Sequence, residues 1–183
     1  MFHITIADNL QLKLLTHADA TVFYDLICKN REHLERFVPR IGENTDVAAT
    51  KRVIDLFLRQ LLERNGFRAG IVFGDTLVGV AGLKYIDWLN RKTEVMYWVD
   101  CDYQNRGIAT ACVRQLLSVS FKHYDLEKVQ LRANEHNTAS IRVAEKCGFV
   151  FEGTARRDEL LGSGYADVHT FSLIRSEYER CSS

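Results

Sequence analysis

Proline is almost missing from this sequence: Pro39 is the only one in 183 residues. That excludes a proline-rich linker or ligand segment, and with no low-complexity stretch or solenoid-period repeat there is no place to divide the chain. Neither sign of charge is in excess, since Lys plus Arg and Asp plus Glu both total 24. No global field therefore draws in nucleic acid or anionic lipid, and binding has to rest on local geometry. No run of about 18 apolar residues occurs, so a membrane span is not expected. The opening MFHITIADNLQLKLL lacks the basic and long apolar regions of an export signal, which makes the cytoplasm the expected location. The five cysteines, Cys28, Cys101, Cys112, Cys147 and Cys181, are odd in number with no C-x-x-C spacing. The six histidines show no H-E-x-x-H pattern, so reduced thiols and no metal centre are expected.

What is present is the composition of a soluble globular protein, 46% apolar and 26% charged. The length suits one core, so residues 1–183 are expected to form a single domain. Leu10–Leu15 alternates like a strand. Thr16 can cap a helix running to Lys29, with Ala18, Val22, Leu26 and Ile27 on its buried face. The pattern breaks at Pro39 and Gly42, and Thr45 or Asp46 can cap a second helix whose apolar side includes Val53, Leu56, Phe57, Leu61 and Leu62. A hairpin turning at Gly74-Asp75 joins Phe67–Phe73 to Leu77–Ile86, and Thr93–Val99 follows. In that last strand Val95, Tyr97 and Val99 alternate with Glu94, Met96 and Trp98, so its two faces differ chemically. A helix to about His123, a strand at Lys128–Ala133, a helix at Thr138–Cys147 and strands at Phe149–Glu152 and Val168–Ile174 complete a mixed α/β order. Consecutive hairpins require antiparallel pairing, while the strand–helix–strand run from Glu94 to Ala133 requires one parallel pair.

The loop Gln104-Asn105-Arg106-Gly107-Ile108-Ala109 lies between a strand end and a helix start. Amides at a helix N-terminus have no internal acceptors and carry partial positive charge, so this turn can hold a phosphate, a pyrophosphate being the natural guest. A glycine-containing strand-to-helix turn without a ligand is the other reading. The spacing matches neither G-x-G-x-x-G nor G-x-x-x-x-G-K-[ST], which excludes a dinucleotide fold or P-loop on these residues.

The same six residues resemble the Q/R-x-x-G-x-G/A acyl-coenzyme A loop of GNAT acetyltransferases. Asn137-Thr138-Ala139-Ser140 with Glu145-Lys146-Cys147-Gly148-Phe149 is similar to the N-x-x-S…E-K-x-G-F signature of that family's Rim-type branch, which acetylates ribosomal protein N-termini. The likeness covers about residues 10 to 175. It implies a strongly twisted, mostly antiparallel mixed sheet of about seven strands with about four helices, splayed between two central parallel strands where the thioester of acetyl-coenzyme A enters. It also implies cofactor-binding roles for Val99 and Cys101 through their backbones, for Gln104, Asn105, Arg106, Gly107, Ile108, Ala109 and Thr110 around the phosphates, and for Asn137 on the pantetheine arm. Gln104 departs from the arginine or lysine of many relatives, and Arg106 is the nearest replacement charge.

Acyl transfer to an amine needs a neutral nucleophile, a polarised thioester carbonyl and a proton for the departing thiolate. An α-amino group near pKa ~8 needs only a modest base, whereas a lysine near ~10.4 needs more. Glu94 is the first candidate base, its other reading being a solvated residue or a salt-bridge partner of Lys92 or Arg91. Glu159 is the rival, because the Rim-type resemblance places an acid nineteen positions after the signature serine, Ser140. Ser140 is implied as the proton donor to the thiolate, and otherwise supports its helix start. The carbonyl oxygen would meet amides near Val99. Asp100 and Asp102 should raise the Cys101 thiol, which favours direct transfer in a ternary complex over an acyl-cysteine. Trp88, on a hairpin tip, is the candidate substrate lip. The expected acceptor is a protein N-terminus, the alternatives being a small amine such as a polyamine, aminoglycoside or amino acid, or a non-catalytic acyl-coenzyme A sensor. Rim-type relatives often dimerise, which here would use a sheet edge or the helix from Asp46.

Overall fold

The computed structural model describes residues 3–38, 41–161 and 164–182, with residues 181 and 182 described by backbone alone. The break expected at Pro39 and the side chain of Cys181 lie outside the described residues. Eight strands form one sheet: β1 (His3–Ala7), β2 (Leu10–Lys13), β3 (Phe67–Phe73), β4 (Thr76–Asp87), β5 (Lys92–Val99), β6 (Lys128–Asn134), β7 (Val150–Leu161) and β8 (Gly164–Ile174). Their spatial order is β1-β2-β3-β4-β5-β6-β8-β7. Among the described residues only β5 and β6 pair in parallel, as the crossover between them demands. One strand more than expected is present because His3–Ala7 pairs with β2 and extends the sheet edge. The last hairpin also runs far beyond the two short strands anticipated.

Helices cover both faces. On one side lie α1 (Ala20–Lys29), the short α2 (Arg31–Glu35) and α3 (Val47–Leu62); on the other are α4 (Ile108–Ser118), α5 (Thr138–Lys146) and the terminal α6 (Arg175–Ser182). Asp46 caps α3 by accepting the Ala49 amide at 2.6 Å. The helix expected from Thr16 begins later, a 3-10 turn at His17–Asp19 preceding α1. The buried stripe of α1 is Ala20, Phe23, Leu26 and Ile27, and Val22 faces solvent. In α3 the buried residues are Ala49, Thr50, Ile54 and Phe57, while Leu56 and Leu62 are exposed. Leu26, Ile27 and Phe57 are thus buried as expected and Val53 and Leu61 pack partly buried, while Ala18, Val22, Leu56 and Leu62 fall outside the stripe, a distinction that a mixed apolar pattern does not resolve.

The two faces of β5 separate as its alternation requires. Val95 and Val99 join the core under α4 and α5, with Tyr97 packed against it. Met96 and Trp98 face α1 and α3, where Trp98 stacks on Phe23 at 6.3 Å between ring centroids and Phe23 tilts against Phe57 at 6.4 Å. Such aromatic pairs contribute about 1 kcal/mol each beyond area burial, and they fix the two helices against the strand that borders the cleft.

Candidate active site

The parallel ladder between β5 and β6 ends at Val95–Leu131, yet β5 continues to Val99 and β6 to Asn134. The strands diverge there, leaving the inner backbone edge of Met96–Val99 without a sheet partner. A cavity of about 1570 Å³ occupies the gap and runs from the start of α4 to the faces of α1 and α3.

At one end, Asn105 (φ 60°) and Gly107 (φ 77°) both adopt the left-handed conformation, turning successive amides in one direction. A Cβ on Gly107 would meet nothing within 4 Å, so the bed beside it is open space. No side chain caps α4, so the first-turn amides of Ile108, Ala109 and Thr110 are left for a ligand. The α4 dipole adds a preference for anions. Gln104 turns inward, its Nε2 lying 3.1 Å from His33 Nε2 and 3.5 Å from the Val99 carbonyl. Burial, helped by the Arg36 charge, lowers the His33 pKa, so the ring meeting Gln104 is neutral near pH 7. Arg106 turns outward instead: it donates to the Asp102 carbonyl at 3.0 Å, stacks over Tyr103 and lies outside the cavity lining. Cys101 is also outside the lining, its amide donating to Asn30 Oδ1 at 2.9 Å.

In the middle of the cleft, Asn137 caps α5 by accepting the Ser140 amide at 3.1 Å. That fixes Ser140 near Tyr97 of β5. Burial pushes the Tyr97 phenol up to about 12, partly offset by the approach of Ser140. The approach falls short of hydrogen-bond geometry, so Tyr97 Oη is a buried polar atom with no partner among the described residues. Tyr97 packs against the core and also lines the cavity, and an aromatic alternating with valines gives no signal of that.

At the far end, Glu94 is buried and paired with Lys84 at 3.0 Å, not with Lys92 or Arg91. Those two instead engage Asp87, and Asp125 with Glu127. Glu159 comes from β7, where Ala155 pairs with Val168 and Glu159 with Ala166, leaving a bulge between. Arg157 at its apex has φ 52° and donates its amide to Asp167 at 2.7 Å. The bulge turns Glu159 into the cavity beside Lys84, Arg132 and Glu94. Burial raises the Glu159 pKa, the Glu94 and Asp158 charges add to the rise, and Lys84 and Arg132 oppose it. Arg132 is itself held by Asp158. A half-buried carboxyl near a buried acid, with two cations nearby, is an arrangement suited to proton transfer.

Other expected features fall elsewhere. Trp88 is not a substrate lip: it lies outside the cavity, donating to the Arg64 carbonyl at 2.9 Å and packing edge-on to Tyr124. Burial foremost, then Asp100 and Asp102, raises the Cys101 thiol, and burial pushes Cys112 up to about 12, so neither is an activated nucleophile. Among the described residues no three metal-ligating side chains gather, and no helix is long and apolar enough to cross a membrane.

Helix-start amides with no side-chain cap, an open strand edge, an orphaned hydroxyl and two carboxylates at the far end fit a long pantetheine-bearing nucleotide. Comparison with known proteins agrees. The profile of the Acetyltransferase (GNAT) domain matches residues 9–150. YdaF of Bacillus subtilis (strain 168), provisionally named as a ribosomal N-acetyltransferase, is 32% identical over 181 residues, 98% of each chain. The ribosomal-protein-serine acetyltransferase of Escherichia coli (strain K12) is 26% identical over 175 residues, 93% of this chain and 96% of that protein. RimL, the ribosomal L7/L12 alpha-N-protein acetyltransferase solved with coenzyme A, superposes with a TM-score of 0.92 at 20% identity, over 96% of this chain and 99% of that one. The chain belongs to the GNAT family and is an acetyl-coenzyme A-dependent N-acetyltransferase.

Proposed function

We propose that the enzyme acetylates the N-terminal α-amino group of a protein, of the ribosomal class named for its relatives. The observation that carries this reading is the pairing of Glu94 and Glu159 at the acceptor end of the cleft, flanked by Lys84 and Arg132. An α-ammonium near pKa ~8 loses its proton readily enough that a partly buried carboxylate, directly or through one water, suffices as base. The acetyl thioester is what the bound co-substrate supplies.

The chain's own residues do the rest. The amides of Gly107, Ile108, Ala109 and Thr110 hold the diphosphate, with Gln104 and Asn105 shaping the turn before them. The free edge of β5 at Val99 and the Asn137 side chain align the pantetheine arm. Arg106 and the Cys101 backbone serve from behind, bracing the turn. Glu159, with Glu94 fixed by Lys84 beside it, takes the amine proton. Ser140 and the unpartnered Tyr97 hydroxyl offer hydrogen to the sulfur, and transfer is direct, with no acyl-cysteine. A cytoplasmic setting, and a homodimer formed as in Rim-type relatives, belong to the same proposal.

The test is an acceptor panel of serine-, alanine- and methionine-initiated peptides, spermidine and an aminoglycoside, read by thiol release from acetyl-coenzyme A. Turnover of the peptides above the small amines is expected. Turnover of spermidine or the aminoglycoside alone would move the acceptor to a small molecule, and coenzyme A binding without turnover of any amine would leave a sensor.

A further inference from the structure

Arg68 is a cation of the cleft that the reaction does not use. It projects from β3 on the α3 face, its guanidinium 5.1 Å over the Phe57 ring. Its Nε is buried with no hydrogen-bond partner, and burial lowers its pKa. Among the described residues no carboxylate pairs with it. An arginine left this way is half of an interaction, because a desolvated guanidinium without an anion is costly.

Its surroundings repeat the imbalance. Arg52 and Arg59 of α3 line the same cavity, and neither is in an ion pair among the described residues. The nearby acids are occupied or turned away: Asp55 pairs with His17 at 2.7 Å and Glu94 with Lys84. Glu63 shares a shallower pocket with Arg59 and Arg68 but pairs with neither. In a chain with no net charge, this wall of the cleft is basic.

Register places the wall relative to the reacting end. Arg68 lies opposite Gly82, and Gly82 opposite Met96, so the middle strand offers no side chain between β3 and β5 at this level. Glu94 is two residues along β5 on the same face. Two strand spacings across and two residues along separate the Arg68 and Glu94 backbones by about 12 Å, the span of three or four residues of an extended chain.

We infer that Arg68, rimmed by Arg52 and Arg59, is a carboxylate-binding subsite of the acceptor groove. It selects acceptors whose negative charge lies about three or four residues from the amine, and it disfavours polycations. The inference rests on the acceptor end assigned above and adds the class of acceptor. The carboxylate is supplied by an acidic residue of a peptide, which brings bidentate chemistry to the guanidinium.

The experiment uses serine-initiated pentapeptides with one Asp moved through positions two to five, each matched by Asn and Lys versions. A second arm compares these peptides with spermidine. A kcat/KM at least ~10-fold higher for Asp than Asn at position three or four is expected, residing in KM, with Lys below Asn. Arg68→Gln should cut that preference to about twofold and Arg68→Lys restore part of it, with Arg59→Gln giving a smaller loss. Equal rates for Asp, Asn and Lys overturn the subsite while N-terminal acetylation stands. N-acetylated pentapeptides titrated calorimetrically into the coenzyme A-loaded enzyme decide the same point without turnover: tighter Asp binding upholds the subsite, and equal affinities overturn it.

Discussion

The side-chain oxygen of Asn30 accepts the backbone amide of Cys101 at 2.9 Å, fastening the end of α1 to the turn that leads into the phosphate loop. Asn30 is buried, and its Nδ2 donates to the Leu26 carbonyl at 3.0 Å. Beside it, Lys29 grips Asp100 at 2.7 Å. Burial alone would raise the Asp100 carboxyl, but its hydrogen bonds, chiefly from Lys29, hold it below the usual carboxylate value. Asn30→Ala leaves a partly buried amide without its acceptor, at a cost of about 2 kcal/mol. A melting temperature about 5 °C lower is expected from calorimetry, with a severalfold higher KM for acetyl-coenzyme A. An unchanged KM would show that the brace stabilises the fold without shaping the loop.

Tyr97 and Ser140 make a second, more diagnostic pair. An unpartnered buried hydroxyl is a liability unless a ligand uses it. Tyr97→Phe should therefore leave the ligand-free protein as stable as wild type or more so, while slowing thiol release at least ~10-fold. Ser140→Ala should also slow release, and the double variant should lose less than the two single losses combined, since both hydroxyls address one atom. Full activity in Tyr97→Phe would return that residue to the core.

Much of this was legible in the residue order, and what was not has definite physical causes. The alternation along Thr93–Val99 already separates Glu94, Met96 and Trp98 from Val95, Tyr97 and Val99, and the structure keeps them on opposite faces. The turn before α4 was likewise legible, because a glycine ahead of a helix start has a backbone reason to be there. The Lys84–Glu94 pair was not, since it depends on how the register shifts between Leu83 and Ile86. Glu159 entered only through family resemblance; its approach to the cleft needs a bulge at Arg157 that no local propensity marks. Arg68, on a strand of mostly buried neighbours, gave no sign that it would lack a partner.

Glu159 should be visible in pH dependence. Its folded pKa is raised above the ordinary 4.5. The acid limb of kcat/KM is expected to have a midpoint above that value in wild type and to vanish in Glu159→Gln. Stability supplies an independent reading. A carboxyl with a raised folded pKa disfavours folding once it ionises, so the penalty is full above the folded value and relieved as pH falls through it. Glu159→Gln should melt higher than wild type at pH 7.5 and level with it at about pH 4. A lower melting temperature at pH 7.5 would contradict the assigned direction.

Gly107 tests the phosphate bed. Its φ of 77° favours glycine, while the space where a Cβ would stand is open. Gly107→Ala is thus expected to cost only about 1 kcal/mol of stability through backbone strain. Its methyl would crowd a bound diphosphate, raising KM for acetyl-coenzyme A about 10-fold while KM for the amine stays within twofold. A stability loss with no change in either constant would place the nucleotide elsewhere.

The most direct measurement is the position of the acetyl group on a serine-initiated peptide that also carries an internal lysine and an aspartate at its fourth residue. After incubation with the enzyme and acetyl-coenzyme A, fragmentation mass spectrometry reads which nitrogen is modified. Acetyl on the α-nitrogen alone is the expected result, with Glu159→Gln or Glu94→Gln slowing its appearance. Acetyl on the lysine side chain alone, or none on the peptide while spermidine is acetylated, would contradict it.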